Sequence, residues 1–348
     1  MRILKMEKDD LDCFLMETSS FGELWGPTKE NGRFLYGKIE DRSRLYLGNE
    51  IPMIPPKKLF HPPTFDMFRF SEKGFEPNYD WITNRVLFGI HPCDIHGLLI
   101  LDKFFGGYPA ADPYWAKARE KTVIVGYSCI PCESCLCKST NTDIVHEGFD
   151  LFFTDLKDYY LVWVGSSIGD DMTRVRQDIF DEKVEKEDIK KYFEWRKERD
   201  SCFVKGFEFK NLPDMMELSY GSNVWEGFGD KCLSCGQCTM VCPTCNCYDA
   251  YDQIDLSPEL KGTRRRQWDS CMFSDYSLVA GGHNFRGKRS ERLKLWYTHK
   301  LRAYEAEFGK PGSPSCVGCG RCIQTCPVDI NVLTVSDALL TGEVPKQK

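Results

Sequence analysis

The sequence predicts an amino-terminal domain of α/β or α+β class followed by a mainly α-helical domain. Three observations carry that expectation. The short apolar runs RVLFGI and TVIVG, separated by helical text, read as buried strands in a repeated strand–loop–helix pattern. GFDLFFTDL and YYLVWVGS flank a polar turn and read as a β-hairpin, which adds an antiparallel portion. The carboxy-terminal part holds two cysteine runs of identical spacing, separated by about 70 residues of largely helical composition, notably RSERLKLWYTHKLRAYEAEFG.

Taken in order, the chain opens with a predicted helix over Lys8–Met16, and WGPTKENGRFLYGKI then reads as a turn followed by a strand. The segment from Pro52 to Phe65 is punctuated by prolines, so it is neither a helix interior nor a central strand. It is expected to be an ordered connector on the surface of the first domain, with His61 as a packing or surface residue. RVLFGI, the turn HPCD and the helix IHGLLILDKFF follow, and TVIVG ends in the loop CIPCESCLCKS. Functional groups in α/β sheets gather beyond strand C-termini, which places Cys93 and the Cys129 to Cys137 group at one sheet edge.

Residues 171–202 are charged with a helical undertone, and Ile179, Val184, Ile189, Phe193 and Trp195 form a candidate apolar stripe. They are read as a linker, which gives boundaries of 1–170, 171–210 and 211–348. MMELSYGSNVWEGFGDKC reads as a helix shielding the first cysteine run, and the text after Pro327 as one helix with a frayed end.

A chain of 348 residues with 42% hydrophobic content has room for two cores. Its net charge of −6, from 46 basic and 52 acidic residues, argues against nucleic acid as a bulk partner. No run approaches the ~18 apolar residues of a membrane span, so no direct membrane insertion is expected. A cytoplasmic location is predicted, with the 18 cysteines kept as thiols or used as metal ligands. The fingerprints of dinucleotide, nucleoside triphosphate and hydrolytic sites are all missing, so the chain reads as wiring without a catalytic centre of its own.

The wiring is legible in the cysteines. Cys232, Cys235, Cys238 and Cys242 follow the C-x2-C-x2-C-x3-C-P order, and Cys316, Cys319, Cys322 and Cys326 repeat it. In two-cluster ferredoxins the first three thiolates of a run hold one 4Fe-4S cluster and the fourth crosses to the other. Cys232, Cys235, Cys238 and Cys326 are therefore assigned to one cluster, and Cys316, Cys319, Cys322 and Cys242 to the second. Gly236, Gly318 and Gly320 let backbone amides approach. A structural zinc site has no use for two matched four-cysteine runs.

Of the other ten cysteines, Cys93, Cys129, Cys132, Cys135 and Cys137 suit a third 4Fe-4S cluster. That cluster needs four ligands, taken as Cys93, Cys129, Cys135 and Cys137 with Cys132 as the alternate. A zinc site or a CxxC redox pair in the same loop stays open. Cys245, Cys247 and Cys271 are additional candidate ligands, groups around a cluster, or buried thiols, and Cys13 and Cys202 read as inert. Arg264, Arg265, Arg266, Arg286, Lys288, Arg289 and Arg292 are candidates for tuning or docking, set against an ordinary solvated face, and His283 for hydrogen bonding to a cluster.

The ordered motifs IPPKKLF, FGIHPCDIHGL, GYSC…CLC, FDLFF, KCLSCGQCTMVCPTCNCY, RRQWDSC, AGGHNFR and CVGCGRCIQTCP span nearly the whole chain. This set resembles the beta-subunit family of archaeal sulfhydrogenases, which are cytoplasmic NiFe hydrogenases. It is more distantly similar to the A subunit of anaerobic sulfite reductase. The resemblance implies an electron conduit in an oxygen-avoiding oxidoreductase complex, with an alpha-helical ferredoxin domain and three 4Fe-4S clusters. It also implies a flavoprotein subunit handling NAD(P)H as one partner, and a hydrogenase-type or sulfite reductase-type catalytic subunit as the other. The family's cluster cysteines carry over to Cys93, Cys129, Cys135 and Cys137 and to the eight ferredoxin-type cysteines. Cys132 departs from the family pattern, in which that position need not be cysteine.

Overall fold

The computed structural model describes residues 2–107, 110–256, 261–303 and 314–345. The chain divides into two compact units. One comprises Met1–His61, Asn78–Glu133 and Thr142–Val204, and the other Pro62–Pro77, Ser134–Asn141 and Lys205–Lys348. Among the described residues the strands are β1 (Arg2–Glu7), β2 (Glu23–Glu30), β3 (Arg33–Lys38), β4 (Thr64–Ser71), β5 (Gly74–Pro77), β6 (Arg85–Ile90), β7 (Thr122–Tyr127), β8 (Leu151–Asp155), β9 (Tyr159–Val164), β10 (Tyr248–Ile254) and β11 (Lys261–Trp268).

The first unit is built on a mixed sheet of order β1-β9-β8-β7-β6-β2-β3. Its centre is parallel, β2 to β6 to β7 to β8, and antiparallel pairs close both edges. Every residue of β6 and β7 is buried, as expected of strands covered on both faces. Val86 and Phe88 face one core with Phe14, Val125 and Phe153, while Leu87 faces the other with Leu98, Leu101 and Ile124. A register shift between Phe88 and Ile90 puts Ile90 on the same side as Leu87, and Gly89 makes it possible at φ +80°. The helices Pro92–Phe105 and Pro113–Glu120 carry the crossover from β6 to β7.

The fold class is the expected one: a mixed α/β amino-terminal region, then a helical carboxy-terminal region. Several elements differ from expectation. β1 pairs with β9 and was not foreseen. WGPTKE forms most of β2, so the turn narrows to Asn31 and Gly32, at φ +50° and +74°. The stretch from Pro52 to Phe65 is no surface connector: Leu59, Phe60 and His61 are buried, and the His61 ring lies 5.3 Å from that of Phe105. Apolar side chains on a short 3-10 turn, Pro56–Leu59, drive that burial.

Residues 171–202 are not a linker. The helices Ser167–Val175 and Lys186–Ser201 belong to the first unit. Two members of the expected stripe point outward, Ile189 and Phe193 at 49% and 62% exposure, while Trp195 and Ile179 pack inward. The inward face is Asp188, Tyr192, Trp195 and Arg199, at helical spacing. Asp188 accepts a hydrogen bond from Tyr159 Oη at 2.5 Å and an ion pair from Lys5 at 3.3 Å. Arg199 pairs with Asp143 at 3.0 Å and donates to the carbonyls of Cys129 and Asp143.

The second unit packs helices Leu212–Leu218, Val224–Lys231, Arg289–Thr298 and Val332–Thr341 around Met216, Trp225, Phe228, Leu293, Trp296 and Val335. Asn331 caps the last helix by accepting from the amides of Leu333 and Thr334, and Gly342 ends it at φ +77°. The largely helical insertion expected between the cysteine runs also contains strands, which form an antiparallel sheet of order β10-β11-β4-β5. Its pairing of β4 with β11 draws residues 62–77 into this unit, so the units are not contiguous in sequence. Part of the expected helix, residues 304–309, and the tip of the tail, 346–348, lie outside the described residues.

The Arg199–Asp143 pair is 3% and 10% exposed, so breaking it leaves a buried carboxylate uncompensated. Arg199→Met is expected to cost about 3–5 kcal/mol and lower the thermal unfolding midpoint by roughly 10 °C. Lys157→Met, which removes the exposed pair with Glu198, is expected to cost less than about 1 kcal/mol in the same scan.

Candidate metal centres

The two cysteine runs fold alike because their left-handed residues fall at matching offsets. In the first, Ser234 and Gly236 have φ of +51° and +74°; in the second, Gly318 and Gly320 have +59° and +78°. The second of each pair caps a short helix, Gln237–Met240 or Arg321–Thr325, which carries the third cysteine of its run. The curl aims amides at sulfur: Ser234 N–H donates to Cys232 Sγ at 3.3 Å, and Gly318 N–H to Cys316 Sγ at 3.4 Å. Crowding explains why the second run has glycine at both positions. A Cβ on Gly318 would lie 2.5 Å from the Leu136 backbone, and one on Gly320 would lie 2.3 Å from the Ser134 carbonyl.

Two cavities result. One is lined by Cys232, Cys235, Cys238 and Cys326 together with Met272 and Ile330. The other is lined by Cys242, Cys316, Cys319 and Cys322 together with Leu136 and Val332. Trp296 and Tyr297 line both, so the cavities share a wall. Each therefore takes three cysteines from one run and the last cysteine of the other. The residues suit 4Fe-4S clusters: four thiols surround each space, and left-handed turns with inward amides form the cradle. Among the described residues no three His, Cys, Asp or Glu side chains group closely enough to hold a single metal ion.

The environments of the two cavities differ. Cys235 is exposed and Leu233 beside it is 59% exposed, so the first cavity reaches the surface. Burial pushes the Cys238 thiol up, with the neighbouring Cys232 and Cys326 adding to the effect, and burial raises Cys322 in the second cavity. Such thiols ionise when metal takes the proton's place. The second cavity also has a buried cation. The helix Arg289–Thr298 widens into a π turn at His299–Ala303, which carries Lys300. Lys300 is 3% exposed, and its Nζ donates to Thr244 Oγ1 at 2.9 Å. Thr244 Oγ1 lies 3.2 Å from Cys242 Sγ. Burial alone would pull the ammonium down, but Cys242, Cys245, Cys247 and Cys316 outweigh it and hold Lys300 charged. Lys300 escaped the sequence reading because a lysine near a helix end ordinarily reaches solvent.

The basic residues divide by role. Arg264 pairs with Asp252 and Arg265 with Asp66 across the strands, and Arg266 stacks 4.2 Å over the Tyr248 ring. Arg289 donates to the Cys232 carbonyl at 2.7 Å. Arg292, 4% exposed, donates to Ser234 Oγ and to the carbonyls of Arg286 and Gly287. Those two arginines hold the first cysteine loop in place. His283 is exposed and edge-on to Phe285.

Cys93 lies in the first turn of the helix after β6, not in a loop, and Cys129 follows β7. Since β6 and β7 are parallel neighbours, both residues fall at the same edge of the first unit's sheet, with Cys132 further along the loop. Cys135 and Cys137 belong to the second unit, where Leu136 between them donates its N–H to the Gly318 carbonyl at 2.6 Å. Cys245, Cys247 and Cys271 line neither cavity. Cys202 Sγ donates to the Glu198 carbonyl, and Cys13 is half-buried beside Arg176.

Residues 231–330 match the family described as 4Fe-4S dicluster domain, which gives this region two 4Fe-4S clusters. Across 342 residues, 98% of this chain and 99% of the relative, the sequence is 38% identical to sulfhydrogenase 2 subunit beta of Pyrococcus furiosus.

Lys300→Met removes the buried positive charge beside the second cavity, which disfavours the reduced and more negative state of a cluster there. The midpoint potential of one cluster is expected to fall by on the order of 100 mV while the other stays within roughly 20 mV, as read by a redox titration followed by electron paramagnetic resonance.

Proposed function

The chain belongs to the sulfhydrogenase beta-subunit family, and from that membership we propose that it connects a flavoprotein subunit handling NAD(P)H to a hydrogenase-type catalytic subunit. That it is an iron–sulfur electron-transfer subunit follows from the family and from the dicluster domain. The observation that carries the reading is the pair of four-cysteine cavities with a common Trp296–Tyr297 wall, one of them reaching the surface at Cys235. Two adjacent sites with one exposed end suit passage of electrons in single steps better than chemistry on a bound substrate.

In this reading Cys232, Cys235, Cys238 and Cys326 hold one cluster, and Cys242, Cys316, Cys319 and Cys322 the other. Bound 4Fe-4S clusters supply one-electron redox chemistry at low potential. The chain's own residues set the conditions. Leu136, Met272, Trp296 and Val332 exclude water, the amides of Ser234 and Gly318 orient sulfur, and Lys300 offsets thiolate charge. Arg289 and Arg292 fix the loop at the exposed end.

A third 4Fe-4S cluster on Cys93, Cys129, Cys135 and Cys137, with Cys132 as the alternate, belongs to the same proposal. It is supported by the thiol-rich loop and by the common sheet edge of Cys93 and Cys129. An anaerobic, cytoplasmic setting suits reduced thiols and low-potential clusters. No helix among the described residues is long and apolar enough to cross a membrane.

Anaerobically purified protein is expected to contain about twelve iron atoms per chain, and Cys93→Ser about eight. A value of about eight in the unsubstituted protein removes the third cluster. The native complex is expected to bring down a flavoprotein and a NiFe subunit; a siroheme subunit in place of the latter would assign the chain to a sulfite-reducing complex instead.

A further inference from the structure

One helix passes along both cavities of the second unit. On its inward face Leu293 lines the first cavity and Trp296 and Tyr297 line both, while Lys300 and Leu301 on the π turn that follows line the second. Steps of three and four residues keep these side chains on one face, so the two spaces lie in sequence along a single helix. Trp296 stands where one gives way to the other. It is 8% exposed and packed into the core of the unit, and its ring is edge-on to that of Tyr297 with the centroids 4.7 Å apart.

A tryptophan brings an indole N–H that needs an acceptor once it is buried. Three other tryptophans show the usual solution. Trp115 donates to Asp102 at 2.7 Å, Trp225 to the Ser219 carbonyl at 2.9 Å and Trp163 to Thr154 Oγ1 at 3.2 Å. Trp296 differs: its Nε1 is buried and has no acceptor among the described residues, the eight cavity thiols included. Ser290 and Thr298 on the same helix also have buried hydroxyls without a partner, but neither residue lines a cavity. A hydroxyl can rotate, whereas an indole N–H points where its ring points, and this ring forms the wall of two thiol-lined spaces. The acceptor that suits it is held inside a cavity.

We propose that the Trp296 indole N–H donates to a sulfur of one of the two 4Fe-4S clusters and raises the potential of that cluster. The inference rests on the cluster assignment given under the proposed function. A reduced cluster carries one more negative charge than an oxidised one, so a hydrogen bond to its sulfur strengthens on reduction and favours the electron-bearing state. One N–H serves one sulfur. A residue in the wall of both cavities therefore acts on the two clusters unequally, and it biases the distribution of an electron between them.

The test uses full-length protein purified anaerobically with its clusters. Trp296→Phe keeps an aromatic ring in the wall and removes the N–H. At unchanged iron and sulfide content, a redox titration followed by electron paramagnetic resonance is expected to show a change in one cluster. Its ratio of reduced to oxidised form at a fixed solution potential falls about tenfold, a shift of about 59 mV for a one-electron couple, while the other cluster changes by less than about twofold. A second measurement needs no substitution. In reduced protein carrying tryptophan isotopically labelled at the indole nitrogen, pulsed electron paramagnetic resonance is expected to detect that nitrogen coupled to one cluster. Trp296 is the tryptophan that lines the cavities, so the signal is its own. No shift in either cluster at full iron content overturns the proposal, and equal shifts in both overturn it by assigning Trp296 to the packing of the wall. If the variant loses iron, the labelled unsubstituted protein decides: a nitrogen coupling upholds the proposal and its absence overturns it. Fewer than about eight iron atoms per chain in the unsubstituted protein instead refutes the cluster assignment beneath it.

Discussion

The second unit depends on one constraint: each cysteine run gives its last sulfur to the cavity built by the other run. Cys326 faces Cys232, Cys235 and Cys238, and Cys242 faces Cys316, Cys319 and Cys322. The two short helices that carry Cys238 and Cys322 must therefore pack side by side, and neither cavity closes without both runs. The rest of the unit serves that exchange. Trp296 and Tyr297 form the shared wall, Arg289 and Arg292 clamp the first loop, and the Leu136 segment leaves no room for a side chain at Gly318. Burying so many sulfurs is unfavourable for their anions, and inward amides with one buried ammonium reduce that penalty.

What the sequence disclosed follows from the strength of local signals. Cysteine spacing is a geometric statement about one turn of chain, and it identified both sets of four that line the cavities. Continuous apolar runs identified β6 and β7, whose burial on both faces leaves no other reading. β10 and β11 gave no such signal. β10 is exposed along its length, β11 is rich in arginine, and their charges meet across strands as Arg264–Asp252 and Arg265–Asp66. The partner strand β4 is far away in sequence, so no periodicity could announce it. The helix Lys186–Ser201 misled for a related reason: its inward face includes Asp188 and Arg199, which are tolerated because Tyr159, Lys5 and Asp143 complete them. A hydrophobic pattern cannot see a buried polar face that is paired.

That polar hairpin changes the reading of the first cysteine run. The text after Cys242 looked like an unexplained continuation of the ladder. In the fold, Cys247 immediately precedes β10 and Cys271 lies three residues after β11, so sheet pairing brings these two ends of the hairpin together. Lys300 reaches Thr244 beside Cys242 and also acts on Cys247, which places the cavity and the thiol pair in one electrostatic neighbourhood.

The exchange of the last cysteines is tested most directly by counting iron in two double variants of the same protein. If the runs cross, Cys238→Ser with Cys326→Ser strikes one cluster and removes about four iron atoms, while Cys238→Ser with Cys242→Ser strikes both and removes about eight. If each run instead kept its own fourth cysteine, the two results would be reversed, and the arrangement on which the rest of the unit rests would be contradicted.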